Sequence, residues 1–224
     1  MQNPTQNARY SRQTILPSIG EAGQKKLANS SVWLVGEGSV LEAALIALAS
    51  SGLSQILVSS VFRFDESLWK GRFADSEISF LPLDTIQIPP VSLVLVLTSV
   101  DKMRKRLNRE LRGKGLPTVF GWNAGSGIGL FFSQYKNHDK KCPCFECFEI
   151  LNPKAFNEGV PEVLRFLGAA GASETLLWLI TGKTEIENQV WIQSLDSGQS
   201  FYHPVSASFK CPAFLLEKGA TVTP

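Results

Sequence analysis

One stretch limits the fold of this chain more than any other. Ser31-Val32-Trp33-Leu34-Val35 is a compact apolar run, and it breaks at the turn Gly36-Glu37-Gly38-Ser39. Leu41 to Ser51 then carries alanine and leucine at helical spacing. Gly52 stops that helix, and Gln55-Ile56-Leu57-Val58-Ser59 is short, apolar and β-branched. Strand, glycine turn, helix and strand make a βαβ unit, because parallel strands need a helical crossover. An α/β architecture with a mostly parallel sheet flanked by helices follows.

The rest of the sequence extends that plan. Tyr10 to Leu27 has loose helical spacing interrupted by Pro17, Gly20 and Gly23, which predicts short helices outside the sheet, and residues 1–8 are polar and expected to fray. Residues 61–90 read as irregular, with Pro82, Pro89 and Pro90 as breakers. Val91 to Thr98 is nearly all apolar, as suits a strand covered on both faces. Lys102 to Lys114 is a basic helix, and Thr118-Val119-Phe120 opens a strand that leads through a glycine-rich turn (Gly125, Gly127, Gly129) into Leu130-Phe131-Phe132. Val163 to Thr181 is a long apolar helix, but only eight uncharged residues separate Arg165 from Glu174, so it is expected to be buried in protein. Gln189 to Leu195 and Ser200 to Val205, joined at Asp196-Ser197-Gly198-Gln199, predict an antiparallel hairpin.

Composition removes several function classes. With 22 Lys+Arg against 20 Asp+Glu, the net charge of +2 gives no bulk reason to expect nucleic acid or a membrane surface as a partner. The opening MQNPTQNARYSRQ lacks the apolar run of a secretory signal. Four cysteines, three of them within six residues, suit a metal site in a reducing compartment better than disulfides, and the expected location is the cytoplasm. The length of 224 residues predicts one domain: N-terminal helices over 1–30, a nucleotide-binding-like core over 31–135, and the cysteine segment, buried helix, hairpin and tail over 136–224.

A glycine turn between a buried strand and a helix lets backbone N–H groups approach a phosphate at the positive end of the helix dipole. Gly36 and Gly38 supply such a turn, but Leu41 stands where a dinucleotide fingerprint has its third glycine. A tight βα turn without a ligand explains the same residues equally well.

A longer pattern is more specific. Arg9-Tyr10-Ser11-Arg12-Gln13, then GEAGQKKL over 20–27, the strand and turn over 32–38, Ser51-Gly52-Leu53, the CPCFEC segment, the small-residue stretch from Gly168 and Cys211-Pro212 together resemble the ThiF/MoeB/HesA family, relatives of the ubiquitin-activating enzymes. The resemblance implies a Rossmann-like sheet, ATP-Mg²⁺ binding, adenylation of the C-terminal glycine of a small ubiquitin-like or sulfur-carrier protein, and a homodimer.

Carried over residue by residue, the resemblance places Gly36, Gly38 and Ser60 at the nucleotide, with Ser60 where relatives have a ribose carboxylate. It implies phosphate contacts for Arg72 and for Arg12, the latter reaching from a partner subunit. Asp101 falls two residues late for the Mg²⁺ carboxylate, Thr98-Ser99-Val100 being the direct match. No Lys or Arg occurs between Arg72 and Lys102, so the family's phosphate lysine is missing. No cysteine lies between Cys147 and Cys211 to carry a thioester. The family's structural zinc uses two CxxC pairs; Cys144 and Cys147 match the first, Cys211 half of the second, and Phe214 replaces the last ligand. Cys142 is the expected substitute, with His138 its rival and a vestigial site of free thiols the alternative.

Seven cations over Lys102–Lys114 face only Glu110 locally and read as a solvated outer helix, or as a surface for an acidic protein. The resulting expectation is a degenerate family member that acts as scaffold, regulatory or noncatalytic partner. The competing expectation is a working adenylyltransferase in which Asp101, Arg72 and Arg12 suffice.

Overall fold

The computed structural model describes residues 9–60, 65–69, 71–73, 75–83, 87–123, 127–135, 142–151, 161–208 and 210–213. Short helices α1 (Ser11–Thr14) and α2 (Gly20–Leu27) precede β1 (Ser31–Gly36), α3 (Gly38–Ser50) and β2 (Gln55–Ser60). A single 3-10 turn (Glu66–Leu68) leads toward β3 (Glu77–Phe80), β4 (Leu93–Leu97), α4 (Asp101–Lys114), β5 (Thr118–Asn123) and β6 (Gly127–Ser133). Then come α5 (Phe145–Leu151), α6 (Pro161–Thr181), β7 (Gln189–Ser194) and β8 (Ser200–Pro204).

These strands form one sheet in the order β3-β2-β1-β4-β5-β6-β7-β8. The pairs from β3 to β5 are parallel, and those from β5 to β8 antiparallel. Two sequence expectations change. The stretch read as irregular holds β3, a four-residue edge strand whose half-buried side chains leave no clear alternation. Gly127 and Gly129 belong to β6 and not to a turn. A Cβ at Gly129 would lie 2.4 Å from the Trp122 ring, so the missing side chain is the space that the indole fills.

The unbroken apolar runs of β1 and β4 follow from cover on both faces. Val32, Leu34, Leu93, Leu95 and Leu97 join one core layer, beneath α3 and α6. Trp33, Val35, Val94 and Val96 alternate into the other, with Leu107, Leu111 and the cysteine segment. On α3, Val40, Leu41, Ala44, Leu45, Leu48 and Ala49 are buried, a stripe repeating every fourth residue.

The small residues of α6 are used inside the chain. A Cβ on Gly168 would come within 2.3 Å of the Val40 carbonyl, and one on Gly171 within 3.1 Å of Leu95. They let α6 lie against α3 and the sheet together. Glu162–Thr181 is long and apolar enough to cross a membrane, with mean hydropathy 1.4, but here it covers that sheet face.

Candidate functional site

The chain leaves β1 toward β2 on one side and β4 toward β5 on the other, so the loops after β1 and β4 diverge. Ligands of open α/β sheets bind in such a crevice, at the carboxyl ends of the strands. A cavity of about 570 Å³ lies there, lined by Glu37, Gly38, Ser39 and Val40 from the β1–α3 turn. Leu97, Thr98 and Ser99 after β4, Arg104 of α4, Gly121, Trp122 and Asn123 of β5, and Leu164 and Leu167 of α6 complete it.

Of the residues carried over from the family, Gly38 lines this crevice. Its φ of +53° is the reason for glycine, since nothing lies within 4 Å of where a Cβ would stand. Gly36 ends β1 with Leu97 at 3.3 Å from a Cβ position, so a side chain there would press on β4. Ser60 pairs with Gly36 across the sheet; it does not line the crevice, and its buried Oγ has no hydrogen-bond partner. The Arg72 guanidinium stacks 5.1 Å from the Trp69 ring, and Arg12 is exposed on α1.

Asp101 opens α4, where it accepts from Lys105 Nζ at 2.8 Å and pairs with Arg104 at 3.5 Å. Partial burial pushes its carboxyl up, but the Lys105 hydrogen bond and the charges of Lys105 and Arg104 outweigh that and hold it below its ordinary value. Neither Arg12, Arg72 nor Asp101 is among the described crevice residues.

Sequence reasoning puts Glu37 in the glycine turn as a negative charge near any nucleotide, but misses what it reaches and misses Arg104. Glu37 stands at the N-cap of α3 yet does not cap it; its Oε1 accepts from the Ser99 N–H, across the crevice, while its Oε2 is buried with no hydrogen-bond partner. Arg104 donates to the Thr98 carbonyl at 3.0 Å and the Ser99 carbonyl at 2.9 Å, and lies 5.8 Å from the Phe145 ring. Burial pulls its pKa down, against the charges of Glu149, Asp101 and Glu37. Burial likewise pushes Glu149 up to about 7, opposed by Lys105 and Arg104.

The reading of α4 as a solvated basic face holds for Lys102, Arg106 and Lys114 and is corrected for Arg104 and Arg112. Arg104 is 3% exposed and Arg112 4%; Arg106 pairs with Glu110, and Arg109 with the buried Glu146. The signal was in the sequence, because Arg104, Asn108 and Arg112 recur every four residues beside Leu107 and Leu111.

On that side of the sheet Cys144, Cys147 and Cys211 come together, with sulfur atoms all within 4.8 Å. Cys144 Sγ lies 3.8 Å from Cys147 Sγ and 3.5 Å from Cys211 Sγ. Four sulfurs about 2.3 Å from a tetrahedral zinc stand about 3.8 Å apart, so these spacings fit a thiolate–metal centre. Hydrogen bonds from Cys144 and Cys211 hold Cys147 far below an ordinary thiol, while the same contacts push Cys144 well above it. Cys142, expected as a fourth ligand, does not join the trio. Arg112 Nη1 holds its carbonyl at 2.9 Å, and its sulfur sits 3.7 Å from Ser133 Oγ. His138 and Phe214 lie outside the described residues.

No protein-family model matches the chain. Heterocyst protein HesA of Trichormus variabilis is 40% identical over 55 residues, 25% of this chain and 21% of that protein. Adenylyltransferase and sulfurtransferase MOCS3 of Arabidopsis thaliana is 44% identical over 54 residues, 24% of this chain and 12% of that one. The matches therefore span a minor part of these relatives. Among solved structures, E. coli MccB with MccA superposes over 93% of this chain and 74% of its own, with TM-score 0.73 and 14% identity. The chain is thus similar to the ThiF/MoeB/HesA family, in sequence over about a quarter of its length and in fold over nearly all of it. MccB has also been solved with ATP, at TM-score 0.72 and 17% identity. At those identities MccB speaks for the fold alone.

Proposed function

We propose that this chain is a degenerate ThiF/MoeB/HesA protein that serves as scaffold, regulatory partner or noncatalytic half of an assembly in a ubiquitin-like or sulfur-carrier pathway. Adenylation sets a carboxylate against a triphosphate, and cations aimed at the phosphates lower its barrier. The observation that carries the reading is the crevice itself. Its one cation among the described lining residues, Arg104, is committed to two carbonyls and to Asp101, and a carboxylate, Glu37, enters the glycine turn. Asp101 faces Lys105 at the start of α4, and Ser60 offers no carboxylate to a ribose. These groups do not fit ATP-Mg²⁺.

Pyrophosphate exchange from ATP, tried with a panel of carrier proteins ending in Gly-Gly, tests the reading. Exchange at background is expected, since losing one preorganised group costs about a hundredfold to a thousandfold. Robust exchange that disappears in Asp101→Ala would establish the alternative, an active adenylyltransferase, which the names of HesA's fellow relatives favour.

The same reading includes structural zinc on Cys144, Cys147 and Cys211 with one further donor, in a reducing compartment such as the cytoplasm. The three described sulfurs fit it by their spacing. It also includes a homodimer. The exposed apolar residues Ile15, Leu16 and Leu177 support it, whereas Gly168 and Gly171 already pack on α3 and the sheet. Light scattering should give twice the chain mass.

A further inference from the structure

We infer that Glu37 makes the crevice a site for an uncharged or cationic small molecule with an apolar body, and excludes phosphorylated ligands from it. The inference deepens the noncatalytic reading above and rests on it. At the turn where backbone N–H groups of α3 would meet a phosphate, the chain supplies its own carboxylate. That carboxylate is tied in place, since Oε1 takes the Ser99 N–H and so joins the turns after β1 and β4 across the crevice. Oε2 is buried and has no hydrogen-bond partner, so no donor offsets that oxygen.

Arg104 does not cancel it. Arg104 and Lys105 stand against the carboxylates of Glu37 and Asp101, and against Glu149, 3.8 Å from each cation and only partly ionised near neutral pH. No surplus of positive charge remains for a phosphate. The other walls are apolar: Val40, Leu97, Trp122, Leu164 and Leu167 suit a ligand body, and a cavity of about 570 Å³ is in the range of small-molecule sites.

Adenosine, AMP and ATP differ only in phosphate and serve as probes, titrated without Mg²⁺ and followed by calorimetry. The wild-type chain should bind adenosine about tenfold or more tightly than ATP, with AMP between, and raised salt should narrow the gap. Glu37→Gln keeps the acceptor for Ser99 and removes the charge; it should raise ATP affinity about tenfold while leaving adenosine within about threefold. Glu37→Asp keeps a charge but cannot span to Ser99, and it should still refuse ATP. ATP binding as tight as adenosine in the wild type, no gain in Glu37→Gln, ATP accepted by Glu37→Asp, or no binding of any probe would each overturn the inference. The noncatalytic reading fails separately, by pyrophosphate exchange in the wild-type chain.

Discussion

The two ends of α4 manage buried polar groups in opposite ways. Toward its C-terminal half, Asn108 is fully buried and uses every bonding position of its amide. Its Oδ1 accepts from Tyr135 Oη at 2.8 Å and the Phe145 N–H at 3.1 Å; its Nδ2 donates to Glu146 Oε1 at 2.8 Å and lies 3.4 Å from Cys144 Sγ. Arg109 closes the far side of Glu146 with a bidentate pair. At the N-terminal end, the crevice-lining Glu37 keeps its Oε2 buried without a hydrogen-bond partner. A satisfied network fixes one conformation, whereas unsatisfied groups in a native structure call for a reason. The cysteine end is built as a fastening, and the crevice end is built to receive something.

The comparison breaks most readily at the fastening. With zinc bound, Cys211→Ala should cost about 4 kcal/mol or more and release the metal, because metal-binding energy is then part of folding energy. Near one zinc per chain by elemental analysis in the wild type and a large fall in melting temperature in the variant are the expected results. A metal-free chain of unchanged stability in chelator would instead make the trio a set of packed thiols. Asn108→Ala comes next. It strands a phenol, an N–H and one bond of a buried carboxylate, each worth about 1–3 kcal/mol, and relaxation should bring the sum to about 3 kcal/mol in urea unfolding. A loss below about 1 kcal/mol would mean that the amide fills space and fastens nothing.

How far each end could be read from the sequence follows from what kind of signal it leaves. The βαβ unit was legible because Val32, Leu34 and Val58 obey strand burial and Leu41, Leu45 and Leu48 obey helix burial, within a few residues of one another. The hairpin of β7 and β8 was legible through the Asp196–Gln199 turn. Cys144, Cys147 and Cys211 were legible as a set, since CxxC spacing is itself geometric, although the sequence could not say that Arg112 and Ser133 would hold Cys142 aside. Glu37 was legible as a charge beside the turn but not as a bridge. Its position in the turn was plain, but that its carboxylate leaves its own helix for the Ser99 N–H is a contact 62 residues away, fixed only when β4 lies beside β1. Arg104 was hidden for a different reason: seven cations in thirteen residues look solvated until the four-residue repeat is noticed.

The smallest effect belongs to Asp101, and it sharpens the crevice side of the comparison. Its carboxyl sits below its ordinary value, so it contributes stability above the unfolded carboxylate range, near pH 4, and that contribution is lost as pH falls through the lower folded value. The side chain is 51% exposed and solvent screens the Lys105 pair, which limits the contribution to about 0.5–1 kcal/mol, with the favourable position at the α4 N-terminus included. Asp101→Asn should therefore lower the urea midpoint slightly at pH 7 and leave it unchanged near pH 2, where the wild-type carboxyl is losing its charge as well. The same pair of proteins separates two roles for this residue. If Asp101 is only the partner of Lys105, added Mg²⁺ leaves the difference between wild type and variant untouched. A gain in stability with Mg²⁺ that the variant lacks would mean that the carboxylate abandons Lys105 for a metal, and the crevice would then have the one group that the noncatalytic reading denies it.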